Sequence, residues 1–195
     1  MLGTTGNLVR AKRLVLAFGI VVGLPLGAAG QDAAQVIPLE AYHDDALVTV
    51  TEKLSSLSHE FPEELYDWRP AEGIRSVREV VALIAAEGTS LIGQFGAPRM
   101  PGAKADFFEE LDRLSQLSKA ELLEVQAAGI ENYLSYVRSL EGDQLEVPVR
   151  FRGAQHERGA VIDAIRVDMH EHLGQLIAYA RLNGVVPPWR RPRGS

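Results

Sequence analysis

The clearest chemical feature of this sequence is a carboxylate and an imidazole four residues apart, Asp168 and His172. In an α-helix, a separation of four residues turns the side chains by only about 40°, so the two meet one turn apart on the same face. This is the spacing that two ligands from one helix need to reach a single metal ion. It is also the spacing at which an aspartate holds a buried imidazole in one tautomer through a hydrogen bond. Both interpretations stay open at this point.

A third ligand has to come from another helix, and Glu87 is the candidate. Helical spacing places Glu87 and Leu83 together at one edge of the apolar face of their own helix. If that edge faces Asp168 and His172, the three residues form an oxygen-rich cluster with one imidazole, which suits a hard or borderline divalent metal such as Zn, Ni or Mn. The alternative is that Glu87 is a carboxylate at the helix surface, where charged residues usually lie.

The remaining histidines have no partner at a useful spacing. Three of them lie near the expected helix ends and are interpreted as surface residues: His43, His59 and His156. His170 falls on the other side of its helix from His172, so we expect it near solvent.

Four long helices are predicted to position these side chains, from apolar residues at intervals of three and four. The first covers residues 38–60. The second begins at Ser76, an N-cap that Glu79 follows three residues later, and the third begins in the same way at Ser118. The fourth covers residues 156–183, before a glycine and two prolines.

Residues 145–151, before the fourth helix, alternate between apolar and other residues. We interpret this segment as a short extended crossing rather than a sheet, because no strand partner is evident. Four long helices without strands predict an all-α fold, a four-helix bundle.

Residues 1–30 differ from the rest of the sequence. Arg10, Lys12 and Arg13 precede an uncharged apolar stretch from Leu14 to Ala29, and the stretch ends in small residues. This order is typical of a secretory signal peptide, with cleavage expected near residues 30–31. The alternative is an uncleaved anchor, which the stretch is short for because a spanning helix needs about 20 apolar residues.

The predicted organisation is therefore a signal peptide at 1–30, a bundle domain at 31–189 and a basic tail at 190–195. The expected location is periplasmic or secreted, with no stable membrane association after cleavage of the signal peptide.

Charge and composition exclude several classes of function. The full chain has 20 basic and 26 acidic residues, and cleavage of the leader removes three basic ones, leaving a formal charge of −9. An acidic domain without a basic stripe is not expected to bind nucleic acid. The sequence has no cysteine, which excludes a disulfide framework, a thiolate zinc site and a cysteine nucleophile.

Two segments resemble the DinB-like superfamily of four-helix bundles, in particular an exported branch of it. The first is YDWRP followed by GIRSVREVV at residues 66–81, and the second is HEHLGQLIAYARLNGVVPP at residues 170–188. The resemblance extends over residues 39–189. It implies an up-up-down-down topology with a long crossover, and a family of metal-dependent enzymes and transferases of low-molecular-weight thiols.

The resemblance also implies a ligand set. Metal-binding members of the family use three histidines, one on helix two and two at i, i+4 on helix four. By that correspondence His172 matches the last histidine, Asp168 stands at the second, and Leu83 stands at the helix-two position. Aspartate can bind a metal but leucine cannot, so the site is degenerate and a tightly held family-type metal is not expected.

Two functional hypotheses follow. The first is a binding or interaction module for a small molecule or a protein, which uses a pocket between helices or a homodimer face. The second is a metal-dependent hydrolase or thiol transferase with a remodelled site of Asp168, His172 and Glu87, where the ion activates water or a thiol.

Overall fold

A computed structural model describes residues 39–191 of the chain, with side chains from residue 43 onward. These residues form an all-α bundle of four long helices with short elements between them. The long helices are α1 (Leu39–Glu60), α2 (Val77–Thr89), α4 (Lys119–Ser139) and α6 (Arg158–Leu182). The shorter elements are α3 (Phe107–Ser115), α5 (Gly142–Leu145) and the strands β1 (Pro148–Phe151) and β2 (Ala154–Glu157).

The two predicted capping boxes are confirmed, and they fix where α2 and α4 begin. The Ser76 hydroxyl accepts a hydrogen bond from the Glu79 amide, and the Glu79 carboxylate accepts one from the Ser76 amide at 2.6 Å. Ser118 and Glu121 make the same reciprocal pair at the start of α4. Each box satisfies backbone amides that a helix N-terminus would otherwise leave unpaired.

The contacts between helices define their directions. The start of α1 meets the end of α4, where Asp44 pairs with Arg138 at 3.1 Å, so these two helices are antiparallel. Arg78 at the start of α2 donates to the carbonyl of Leu117 just before α4. Helices α2 and α4 therefore begin at the same end of the bundle and are parallel.

The direction of α6 follows from an ion pair at the end of the bundle where α1 ends. Glu60 at the end of α1 pairs with Arg191 after α6, so α1 and α6 are parallel. The order of directions is therefore up, down, down, up.

The predicted up-up-down-down order is thus corrected, while the four-helix bundle is confirmed. The segment between α1 and α2 folds back at one end of the bundle, because the Tyr66 hydroxyl donates to the Ser58 carbonyl and the Tyr66 carbonyl accepts from the Arg78 amide. The long crossover instead joins α2 to α4 and contains α3.

The extended crossing predicted at residues 145–151 is in fact the first strand of a hairpin. β1 pairs antiparallel with β2, and Val149 lies opposite His156. The two-residue turn is Arg152–Gly153, with φ values of 48° and 84°, as a type I′ hairpin turn requires. Because His156 belongs to β2, α6 begins two residues later than predicted.

Helices α2 and α4 touch at two glycines. A Cβ atom built on Gly88 would lie 2.1 Å from the Gly129 carbonyl oxygen, so the backbones approach as closely as they can. This contact fixes the position of α2 directly beside Glu87, the residue before Gly88.

The predicted signal peptide at 1–30 and most of the predicted basic tail, residues 192–195, lie outside the described residues. Within residues 39–191, no helix is both long and apolar enough to cross a membrane.

Candidate functional site

The structure brings the three predicted site residues into one row of contacts between α2 and α6. The Asp168 carboxylate lies 3.1 Å from Nε2 of His172, and the Glu87 carboxyl group hydrogen-bonds the same carboxylate. Glu87 is only 2% exposed and His172 8%. The alternative that Glu87 is a surface residue is therefore wrong, and the hydrogen bond between Asp168 and the imidazole is present.

The row continues along α6 beyond the imidazole. Nδ1 of His172 lies 3.2 Å from Oε1 of Gln175, and Nε2 of Gln175 donates to the Tyr179 hydroxyl at 2.6 Å. That hydroxyl donates to the Arg75 carbonyl at 2.8 Å. We call the five side chains the polar network: Glu87, Asp168, His172, Gln175 and Tyr179.

The Arg75 carbonyl fixes the orientation of the Gln175 amide. A carbonyl only accepts, so the single Tyr179 proton points at it, and the hydroxyl must accept from Nε2 of Gln175. Gln175 therefore presents its oxygen to His172, whose Nδ1 carries a proton. Nε2 of His172 faces a carboxylate, which accepts as well.

Asp168 lies between the other two groups. Its carboxylate contacts the Glu87 carboxyl group on one side and Nε2 of His172 on the other. A proton on Glu87 lets the two adjacent carboxyl groups share a hydrogen bond instead of repelling each other.

Burial decides which carboxyl group keeps its proton. Burial raises the pKa of Glu87 well above its usual value, and the adjacent Asp168 carboxylate raises it further. The hydrogen bond from His172 and, to a smaller extent, the one from Glu87 lower the pKa of Asp168 to about 2. Glu87 is thus the neutral acid and Asp168 the anion.

Two residues near the acid pair were missed by the sequence analysis. Arg152, in the hairpin turn, lowers the pKa of both Glu87 and Asp168 through its positive charge. Tyr133 of α4 is fully buried, and its hydroxyl donates to the Ile162 carbonyl at 2.9 Å. Burial and the nearby Glu87 raise its pKa. Gly153 is a sequence signal for a turn. The sequence does not show that this turn brings Arg152 near Glu87 and Asp168.

The side chains do not fit the three-histidine metal site that the resemblance implied. Leu83 is buried and offers no ligand atom, and both nitrogens of His172 point at hydrogen-bond acceptors. Among the described residues, no group of three or more His, Cys, Asp or Glu side chains could hold a metal ion. One observation points the other way, because Oε2 of Glu87 is buried without a hydrogen-bond partner.

The other histidines lie away from the polar network. His59 and His170 are exposed, and Nδ1 of each bonds a carbonyl one turn earlier in its own helix. His156 is exposed on β2, beside Phe151. His43 is exposed near the start of α1.

A groove of about 720 Å³ opens between α1, α4 and α6, near the hairpin end of the bundle. We call it the α1–α4–α6 groove. Its walls include Leu47, Tyr133, Val137 and Ile162. Tyr133 therefore has the groove on one side and Glu87 within electrostatic reach. A smaller cleft of about 230 Å³ lies near Arg69 at the start of α2.

Comparisons with known proteins agree with the fold. The bundle is similar to a DinB-like protein from Bacillus cereus (14% identity, TM-score 0.62), with 77% of this chain and 95% of that chain covered. It is also similar to YfiT from Bacillus subtilis, described as a probable metal-dependent hydrolase with an unusual four-helix bundle topology (15%, TM-score 0.59, 78% and 93% covered).

A third similar structure is a mutant of the mycothiol-dependent maleylpyruvate isomerase, at 15% identity and a TM-score of 0.59, with 72% of this chain and 61% of that chain covered. No curated protein matches the chain. The sequence profile of the DinB superfamily matches residues 46–176. The chain therefore belongs to the DinB superfamily.

Proposed function

We propose that this protein is an exported DinB-like bundle that holds no tightly bound metal and acts as a binding module for a small molecule or a protein. Export rests on the character of residues 1–30, and periplasmic or secreted is the location that follows.

The observation that carries the proposal is the internal pairing of the polar network. A histidine binds a metal through a lone pair, so its ligating nitrogen must lose its proton. Nε2 of His172 faces Asp168 and Nδ1 faces the side-chain oxygen of Gln175, so both ring nitrogens already have hydrogen-bond partners. An ion would have to displace these bonds and also ionise Glu87. Substitution of the helix-two ligand by Leu83 removes a compensating contact.

The competing hypothesis is a metal-dependent hydrolase or thiol transferase that uses Asp168, His172 and Glu87. Two points favour it. YfiT, which shares the fold, is described as a probable metal-dependent hydrolase, and the unpaired Oε2 of Glu87 is an oxygen that a cation would satisfy. This hypothesis requires near-stoichiometric metal in the purified protein.

The deciding experiment is elemental analysis of the untagged protein, expressed with its own leader and purified without chelator or added metal. The His172→Ala variant removes the imidazole, and His170→Ala is the matched control, because His170 is exposed two residues away on the same helix. We expect well under a tenth of an equivalent of Zn, Ni or Mn in all three proteins. Near one equivalent in wild type and His170→Ala, lost in His172→Ala, would establish the competing hypothesis.

A further inference from the structure

We propose that the α1–α4–α6 groove binds an amphipathic molecule with a carboxylate at one end of an apolar body. This inference rests on the proposed function, which leaves the ligand unnamed. It places the ligand site away from the polar network and assigns a chemical class to the occupant.

The groove has the size and the walls of a ligand site. Its volume of about 720 Å³ falls within the range of roughly 300–1,000 Å³ that is usual for small-molecule pockets. Buried apolar side chains from three helices line it, among them Leu47 of α1, Tyr133 of α4 and Ile162 of α6. Leu145 of α5, 37% exposed, adds apolar surface to the wall.

Two arginine–aspartate pairs form the polar edge of the groove. Arg138 pairs with Asp44 of α1 through Nε and Nη2, at 3.1 and 3.5 Å. Arg166 directs Nε and Nη2 at one oxygen of Asp163, at 2.9 and 2.6 Å. Nη1 of each guanidinium has no hydrogen-bond partner within the described residues. Both arginines line the groove.

The unused hydrogen-bonding atoms of these two ion pairs favour an anion. The two Nη1 groups together offer four N–H donors, whereas Oδ2 of Asp163 is the one carboxylate oxygen of the two pairs that accepts no hydrogen bond. Guanidinium groups match the geometry of carboxylates. Arg166 is only 22% exposed and lies 2.6 Å from Asp163, so little of its side-chain freedom is lost when an anion binds.

The test compares head groups on a constant tail. The full chain, expressed with its own leader, is titrated with dodecanoate, dodecanol and dodecyltrimethylammonium below their micelle concentrations, by calorimetry or by displacement of a fluorescent fatty acid. We expect dodecanoate to bind at least tenfold more tightly than the other two, because a hydrogen bond to a charged group contributes about a factor of ten or more.

Variants assign the binding to the groove. Arg138→Met and Arg166→Met keep the aliphatic stems, and each is expected to weaken dodecanoate about tenfold while dodecanol is unchanged. Val137→Trp fills the groove and should abolish binding of both. Arg181→Met is the matched control, because this exposed arginine of α6 does not line the groove. Thermal melts check that each variant is folded.

Three results would overturn the inference: no binding of dodecanoate, equal binding of the cationic amphiphile, or unchanged affinity in the Arg138→Met/Arg166→Met double variant. Elemental analysis of the same preparation separates this failure from that of the proposed function. Stoichiometric metal refutes the metal-free binding module whatever the titrations show. Metal-free protein that does not bind dodecanoate refutes the groove assignment but is consistent with the metal-free binding module.

Discussion

Replacing Glu87 with glutamine is expected to change how the stability of the protein depends on pH. Glu87 is buried in the folded state, where burial and the Asp168 carboxylate raise its pKa well above the usual 4.5. Glutamine has nearly the same shape, and its amide can donate to Asp168 where the protonated carboxyl group donates now. The substitution therefore keeps the contact and removes the titration.

The sign and size of the effect follow from proton linkage. Above pH 4.5 the unfolded chain releases the Glu87 proton while the folded chain retains it, so rising pH favours unfolding. Each pH unit between 4.5 and the folded-state pKa lowers the free energy of unfolding by about 1.4 kcal/mol. Relative to Glu87→Gln, the wild type should therefore lose up to about 2 kcal/mol between pH 5.5 and pH 7. A constant offset of about 1 kcal/mol, from the second amide N–H of the glutamine, favours the wild type throughout.

The assay is urea unfolding at several pH values across this window, with and without chelator. Glu110→Gln is the matched control, because Glu110 is also buried in the bundle but pairs with Arg113 at 2.7 Å, and its pKa is lowered. Its folded and unfolded states are both ionised in the window, so its difference from wild type should stay nearly constant. A constant difference for Glu87→Gln as well would refute a protonated Glu87.

Two further predictions concern packing and the acid pair. Gly88→Ala should destabilise the protein by about 3 kcal/mol, because its Cβ would lie 2.1 Å from the Gly129 carbonyl oxygen. Gly174→Ala, at an exposed site of α6 with open space, should instead stabilise the protein by about 0.5–1 kcal/mol. Thermal or urea melts of the two variants measure both changes in stability, and equal effects would contradict the close contact at Gly88. Asp168→Asn should cost about 1–2 kcal/mol near neutral pH, because the lowered pKa of Asp168 stabilises the folded state above pH 3.8. That cost should shrink as the pH falls towards 2 in acid unfolding curves, and a cost independent of pH would contradict an ionised Asp168.

Local signals in the sequence predicted the four long helices and the contact between Asp168 and His172. The serine-to-glutamate spacing at Ser76 and Ser118 marks helix starts because the reciprocal hydrogen bonds involve only neighbouring residues. The separation of Asp168 and His172 likewise fixes their contact within one helix. Helical spacing also placed Glu87 on the correct edge of α2.

Features that depend on distant parts of the chain were not predictable in this way. The order of helix directions depends on how the segment after α1 folds back. Tyr66 joins this segment to Ser58 of α1 and to Arg78 of α2, and spacing within one helix does not predict these contacts. The hairpin was missed because four-residue strands carry too few alternating positions to distinguish pairing from an extended crossing. The hydrogen bond between Glu87 and Asp168 depends on how closely α2 and α6 pack. The spacing of residues within one helix does not predict that distance.

In the polar network, internal hydrogen bonds occupy the atoms that a metal ion would otherwise bind. Long-range proton–nitrogen NMR of the His172 ring, with His172→Gln to assign the signals, tests this most directly. Addition of one equivalent of Zn should leave the signals of both ring nitrogens unchanged. A ring-nitrogen signal that shifts on addition of one equivalent of Zn would show that the ring binds the metal.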